Sequence, residues 1–145
     1  MYKFFILLHI ITSSIFLIVA IATTVRSIAG WLRNLNYLKA DIYLRNLFMI
    51  LLYLTLIHGI IMYFFIDTSS KSAVDAQHAL KQASLRFWVV EHFYVMTFAL
   101  ILAQIGGIFI RKTTIDKNRF VYSTFYYGVS TVITIVSMTF YFIYR

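Results

Sequence analysis

Four side chains carry most of the chemistry open to this chain: His9, His58, His92 and Glu91. Each lies in a long apolar run, where an ionisable group is costly and calls for a partner or a function. Neutral imidazoles are ligands of haem iron and of Zn, Cu or Fe. A carboxyl beside an imidazole can hand on a proton. Glu91 adjoins His92 and is the only acid inside an apolar span, while Arg86, five residues earlier, can snorkel toward it. A structural ion pair or a protonated carboxyl would also account for Glu91.

The surroundings of these groups are those of a membrane protein. The chain has 145 residues, 61% hydrophobic and only 12% charged, whereas soluble domains run at about 45–50% apolar and about 25% charged. There is no Pro, hence no ring clash to break a helix. There is no Cys, which excludes disulfides, iron–sulfur clusters, thiolate zinc sites and covalent c-type haem. The net charge of +8 does not mark a nucleic-acid partner, because the cations gather at the ends of apolar runs rather than on one soluble face. Many of the tyrosines stand near those same ends, as in interfacial belts.

A helix needs about 20 apolar residues to cross the hydrocarbon. Four segments qualify, near Tyr2–Val25, Tyr43–Ile66, Phe87–Ile110 and Phe120–Tyr144. The first loop carries Arg26, Arg33, Lys39 and Arg45 against Asp41. The third carries Arg111, Lys112, Lys117 and Arg119 against Asp116. The middle connection is more balanced, with Lys71, Lys81 and Arg86 against Asp67 and Asp75. The positive-inside rule puts the first and third loops in the cytoplasm and both termini outside. The first apolar run is longer than the core of a cleavable signal peptide. Residues Ser72–Ser84 read as a short helix on the outer membrane surface, with His78 solvated on it. No internal repeat or domain boundary is evident. The expected fold is all-α: one transmembrane four-helix domain over residues 1–145, N-out and C-out, in a bacterial inner membrane.

Small and hydroxyl residues mark the faces that meet inside such a bundle. Helix one shows His9, Ser13, Phe16, Ala20, Thr23 and Ser27 in one stripe, and helix three His92, Met96, Ala99, Ala103 and Gly106. Helix four has Ser123, Tyr127, Ser130, Thr134, Ser137 and Tyr141, a stripe that packing alone would explain. In helix two His58 shares a face with Thr55 and Met62, beside Gly59. With about 1.5 Å of rise per residue, His9, His58 and His92 all fall roughly 8–12 Å below the outer boundary. Three imidazoles on three helices at one depth suggest an assembled site. Two could ligate a haem, with Phe87, Trp88, Phe93 and Tyr94 along its edge. Three with a carboxylate could bind a bare metal ion. Glu91 with one histidine could serve proton or quinone chemistry, or the histidines could be interhelical hydrogen bonds in a structural subunit. Without a broken span, a transporter is the weaker expectation.

The stretch Leu85-Arg86-Phe87-Trp88-Val89-Val90-Glu91-His92 resembles the start of the third helix in a small family of four-span bacterial membrane proteins, found in Bacteroidota and described as cytochrome b. Gly59, Tyr63 and Phe64 at the end of helix two, and Asp116-Lys117 after helix three, are similar to the same pattern. The resemblance implies a b-type haem, ligated first by His92, in respiratory electron transfer with the quinone pool or a larger membrane complex. The chain departs from it elsewhere. Where the family has His followed by Leu-Arg-Trp, this sequence has Ile11-Thr12-Ser13-Ser14-Ile15-Phe16, with His9 two residues earlier. The family's helix-two histidine falls near Tyr53 rather than His58. The alternative is a cofactor-free integral subunit of a larger complex.

Overall fold

A computed structural model of the chain describes residues 2–69 and 90–143. Among these only 33–38 and 113–115 lie outside helices. Helix α1 spans Tyr2–Leu32, α2 Lys39–Ser69 and α3 His92–Lys112. Helix α4, Asp116–Tyr122, runs through a π-wound turn, Ser123–Tyr127, into α5, Gly128–Ile143. Four stretches are long and apolar enough to cross a membrane: Lys3–Leu32, Lys39–Tyr63, His92–Lys112 and Asp116–Phe140. The expected surface helix with His78, and Arg86, Phe87 and Trp88, lie outside the described residues.

The helices are longer than the apolar runs. Arg26 lies inside α1, and Lys39 and Arg45 inside α2, so the expected basic loop shrinks to 33–38. Likewise Arg111, Lys112, Lys117 and Arg119 are helical, and only 113–115 turn the chain. The physical reason is that charge does not end a helix; caps and backbone geometry do. At 31 residues and about 1.5 Å per residue, α1 outruns a hydrocarbon layer of about 30 Å. It stops where Asn34 takes φ 51°, a left-handed conformation that Asn tolerates, and Leu35 N–H donates back to the Gly30 carbonyl at 3.0 Å. Helix α2 then starts with its third residue, Asp41, accepting from the Leu38 N–H at 2.8 Å.

This end of the bundle is interlocked. Asp41, only 5% exposed, takes the Arg26 guanidinium in two hydrogen bonds of 2.7 and 3.2 Å. The Tyr37 N–H donates to Asp116 at 3.1 Å, Arg119 lies over the Tyr37 ring, and Arg26 lies over Phe120. Gly30 is required here, because a Cβ on it would stand 2.5 Å from the Phe120 ring. Both acids are thus spent on tying the two short connections together.

Each of α1 and α3 packs on α2 and on the fourth span, giving a four-helix ring. Its core holds Phe16, Phe48, Leu52, Ala99, Ala103 and Tyr127, with Phe48 edge-on to Phe16 and tilted on Tyr127. The expected stripes face inward: Ser13, Phe16, Ala20, Thr23 and Ser27 on α1; Met96, Ala99, Ala103 and Gly106 on α3; Ser123, Tyr127, Ser130, Thr134 and Ser137 on the fourth span. Their hydroxyls cross helix boundaries: Ser27 to Ser123 at 2.6 Å, Thr24 to Thr131 at 3.2 Å, and Ser130 to the Ala99 carbonyl at 2.9 Å. Nothing in the composition signals the π-wound turn, since no Pro or paired small residues precede it. It sits where Tyr126 must lie against Gly106, whose missing Cβ makes room for it.

Candidate functional site

The histidines reach their places by the helix period. His9 and Ser13 share the inner face of α1, and His58 stands three residues beyond buried Thr55 on α2. His92 opens α3, four residues before buried Met96. All three imidazoles are half-buried. His9 lies within electrostatic reach of both His58 and His92. Gly59 faces His9, and a Cβ on Gly59 would stand 3.7 Å from His9 Cε1.

Their ring nitrogens are treated unequally. His92 Nδ1 is 2.8 Å from the Ser137 hydroxyl on α5. The Nδ1 atoms of His9 and His58 are buried with no hydrogen-bond partner among the described residues. The His9 ring also meets the backbone of Thr55. A buried polar atom left unpaired costs about 1–3 kcal/mol; the Thr124 and Tyr127 hydroxyls are also buried without a partner among the described residues.

The expected aromatic lining is corrected in part. Phe93 and Tyr94 meet edge to face, with ring centroids 5.9 Å apart, and face outward, Tyr94 with 67% of its surface exposed. One and two residues past His92, they are turned by about 100° and 200° from its face, and neither can enclose a group inside the bundle. The bare-metal reading also loses its geometry. Among the described residues no three of His, Cys, Asp and Glu are grouped closely enough to hold one ion. Glu91 is half-buried immediately before α3, its backbone already helical.

Haem iron takes two imidazoles rather than three, and His9, His58 and His92 are side chains of the kind that ligate it. A ligating histidine holds its second nitrogen in a hydrogen bond that fixes tautomer and ring orientation. His92 Nδ1 has such a contact with Ser137; in a haem-bound form Nδ1 would donate to the Ser137 hydroxyl and Nε2 would be the ligating atom. A nitrogen of His9 or His58 would supply the second ligand.

Two features escaped the sequence reading. Ser137 was visible only as one member of a packing stripe; its role as the partner of His92 depends on how α5 is rotated against α3. The second is a cavity of about 300 Å³ between these helices, lined by Glu91, Val95, Val132, Val136, Ser137 and Phe140 among others. Compared with protein-family models, with curated proteins and with solved structures, the chain matches none.

Proposed function

We propose that this chain is a small b-type cytochrome of a bacterial inner membrane, with both termini outside. His92 is one axial ligand and His9 or His58 the other. The observation that carries this reading is three imidazoles linked by electrostatic reach, in which one nitrogen is held by Ser137 and two are buried without hydrogen-bond partners among the described residues. The similarity of Arg86-Phe87 and Glu91-His92 to the cytochrome b pattern supports it as well. Haem, when bound, supplies one-electron transfer. The chain's own part is to orient His92 through Ser137, to keep the ligands in an apolar interior, and to place Glu91 beside them as a proton-handling carboxyl. A site in one leaflet does not carry electrons across the membrane alone, so its partner is the quinone pool or an outward-facing protein.

A second reading has its own support. The outward Phe93–Tyr94 pair on α3 suits a protein contact as well as lipid, as expected of a cofactor-free subunit of a larger membrane complex.

The test is a dithionite-reduced minus oxidised absorption spectrum of protein purified from its native membrane, with extracted haem quantified. A b-type alpha band at about one haem per chain, lost in His92→Ala, is the expected result. A flat spectrum from folded protein overturns the cytochrome reading and leaves the subunit.

A further inference from the structure

The basic end of the bundle holds more cations than it neutralises. Residues 26–45 and 111–119 carry eight Lys and Arg against Asp41 and Asp116 alone. Asp41 is taken by Arg26, and Asp116 by Arg119 and the Tyr37 N–H. Among the described residues, Arg45 and Arg111 are paired with no carboxylate.

These two arginines stand at one level on neighbouring helices. Gln104 on α3 donates to the Tyr53 hydroxyl on α2, so the two helix faces lie side by side. Helix α2 leaves the end that α3 returns to. Arg45 comes eight residues before Tyr53, and Arg111 seven residues after Gln104. At about 1.5 Å per residue, both fall roughly 10–12 Å from that bond, toward the same end. Both lie within electrostatic reach of the Tyr127 hydroxyl. A Cβ added to Gly107 would stand 3.2 Å from that hydroxyl and 3.9 Å from Arg111 Nη1, so the two groups border one place that has no side chain.

The cluster has hydrogen-bond donors in excess. A guanidinium offers five N–H groups and no acceptor. Arg45 spends part of its set on Asn46 Oδ1, at 3.2 Å, and on the Tyr37 hydroxyl. The Tyr127 hydroxyl is buried without a partner among the described residues. It is covered, so the half-buried Arg45 and the exposed Arg111 are the groups a ligand meets. What they lack is an anionic acceptor, and the guanidinium fork matches the oxygens of a phosphate.

The surroundings select a lipid as the source of that phosphate. Ile101, Gln104, Ile108 and Arg111 share one face of α3, with Ile101 and Ile108 exposed at 51% and 43%. An anion at Arg111 would sit at the head of an apolar strip, as the phosphate of a phospholipid sits at the head of its acyl chains. Basic pockets between spanning helices hold lipid headgroups in this way. We infer that Arg45 and Arg111 bind the phosphate of an anionic phospholipid, with an acyl chain along Ile108 and Ile101. The inference rests on the membrane-spanning reading of the bundle and not on haem.

The experiment is equilibrium binding of phosphatidylglycerol with a fluorescent acyl chain to the full chain in neutral detergent, at fixed ionic strength. Saturable binding at one per chain is expected. Unlabelled phosphatidylglycerol should displace the probe at least about tenfold better than phosphatidylcholine, whose ammonium offsets its phosphate. Arg45→Gln and Arg111→Gln should each weaken binding by about tenfold. Lys117→Gln removes the same charge elsewhere on the basic end and should bind within about twofold of wild type. Thermal melts establish that each variant is folded, and the exposed Arg111 carries the test if Arg45→Gln is not. Equal losses in all three variants, or equal displacement by the two lipids, overturn the inference and leave only diffuse attraction to the basic end. Displacement by inorganic phosphate as effective as by phosphatidylglycerol overturns the lipid as source.

Discussion

Ser137 on α5 and His92 on α3 are joined by a 2.8 Å hydrogen bond through the imidazole Nδ1. Partners of this kind typically contribute about 10–100-fold to metal affinity. Ser137→Ala should therefore lower haem retention by about tenfold while leaving the helical content intact. Titration of haem into stripped protein, followed in the Soret region, measures it. Unchanged retention would mean that the contact is interhelical packing alone.

The unpaired nitrogens of His9 and His58 give a test with opposite signs in the two states. Without a ligand each imidazole is a half-buried group whose buried Nδ1 has no partner among the described residues, so an apolar replacement of similar size should be neutral or stabilising. His9→Leu and His58→Leu are thus expected to melt at or above the wild-type temperature when haem-free. One of the two should lose haem, which identifies the second axial ligand. If both variants are strongly destabilised when haem-free, the nitrogens have partners and the site argument fails.

Close approach of α3 to the π-wound turn depends on Gly106. A Cβ there would strike the Tyr126 Cβ, an atom fixed to its backbone and unable to swing aside. Gly106→Ala should cost about 1–3 kcal/mol through overpacking. Gly128→Ala is the contrast, because its nearest neighbour, Thr24 Cγ2, would be at 3.6 Å, an ordinary contact. Denaturant or thermal melts in detergent should separate the two; equal melting would show that the helices can part freely at Gly106.

At the interlocked end, burial pushes the Tyr37 phenol above its usual range, against the opposing influence of Arg45. The folded state thus favours the neutral phenol. Its contribution to stability is complete below the unfolded value of about 10 and is lost as pH rises through the higher folded value. Melting temperature should fall above about pH 10 in wild type and fall less steeply in Tyr37→Phe. Parallel curves for the two proteins would place the alkaline loss elsewhere.

Much of the fold was legible without coordinates, for a clear reason. In lipid the backbone must satisfy itself within each helix, so a run of apolar residues long enough to cross is read almost directly as a span. The inward faces were legible too, since Phe16, Ala20, Ala99 and Ser130 repeat at helical spacing and all are buried. Helix ends were not, because Asn34, Asp41 and the turn at 113–115 set them, rather than the charges the sequence displays.

For the candidate site, the sequence alone led to the expectation of His9, His58 and His92 at one depth, because rise per residue is fixed. Depth says nothing of rotation. Only the packing of α1, α2, α3 and α5 decided that His9 comes within electrostatic reach of the other two, that His92 turns to Ser137, and that Phe93 and Tyr94 face away. The cavity beside Glu91 likewise comes from the gap between α3 and α5, which no single helix encodes. Period and composition are local properties of a chain; the relative rotation of helices is settled by many weak contacts at once.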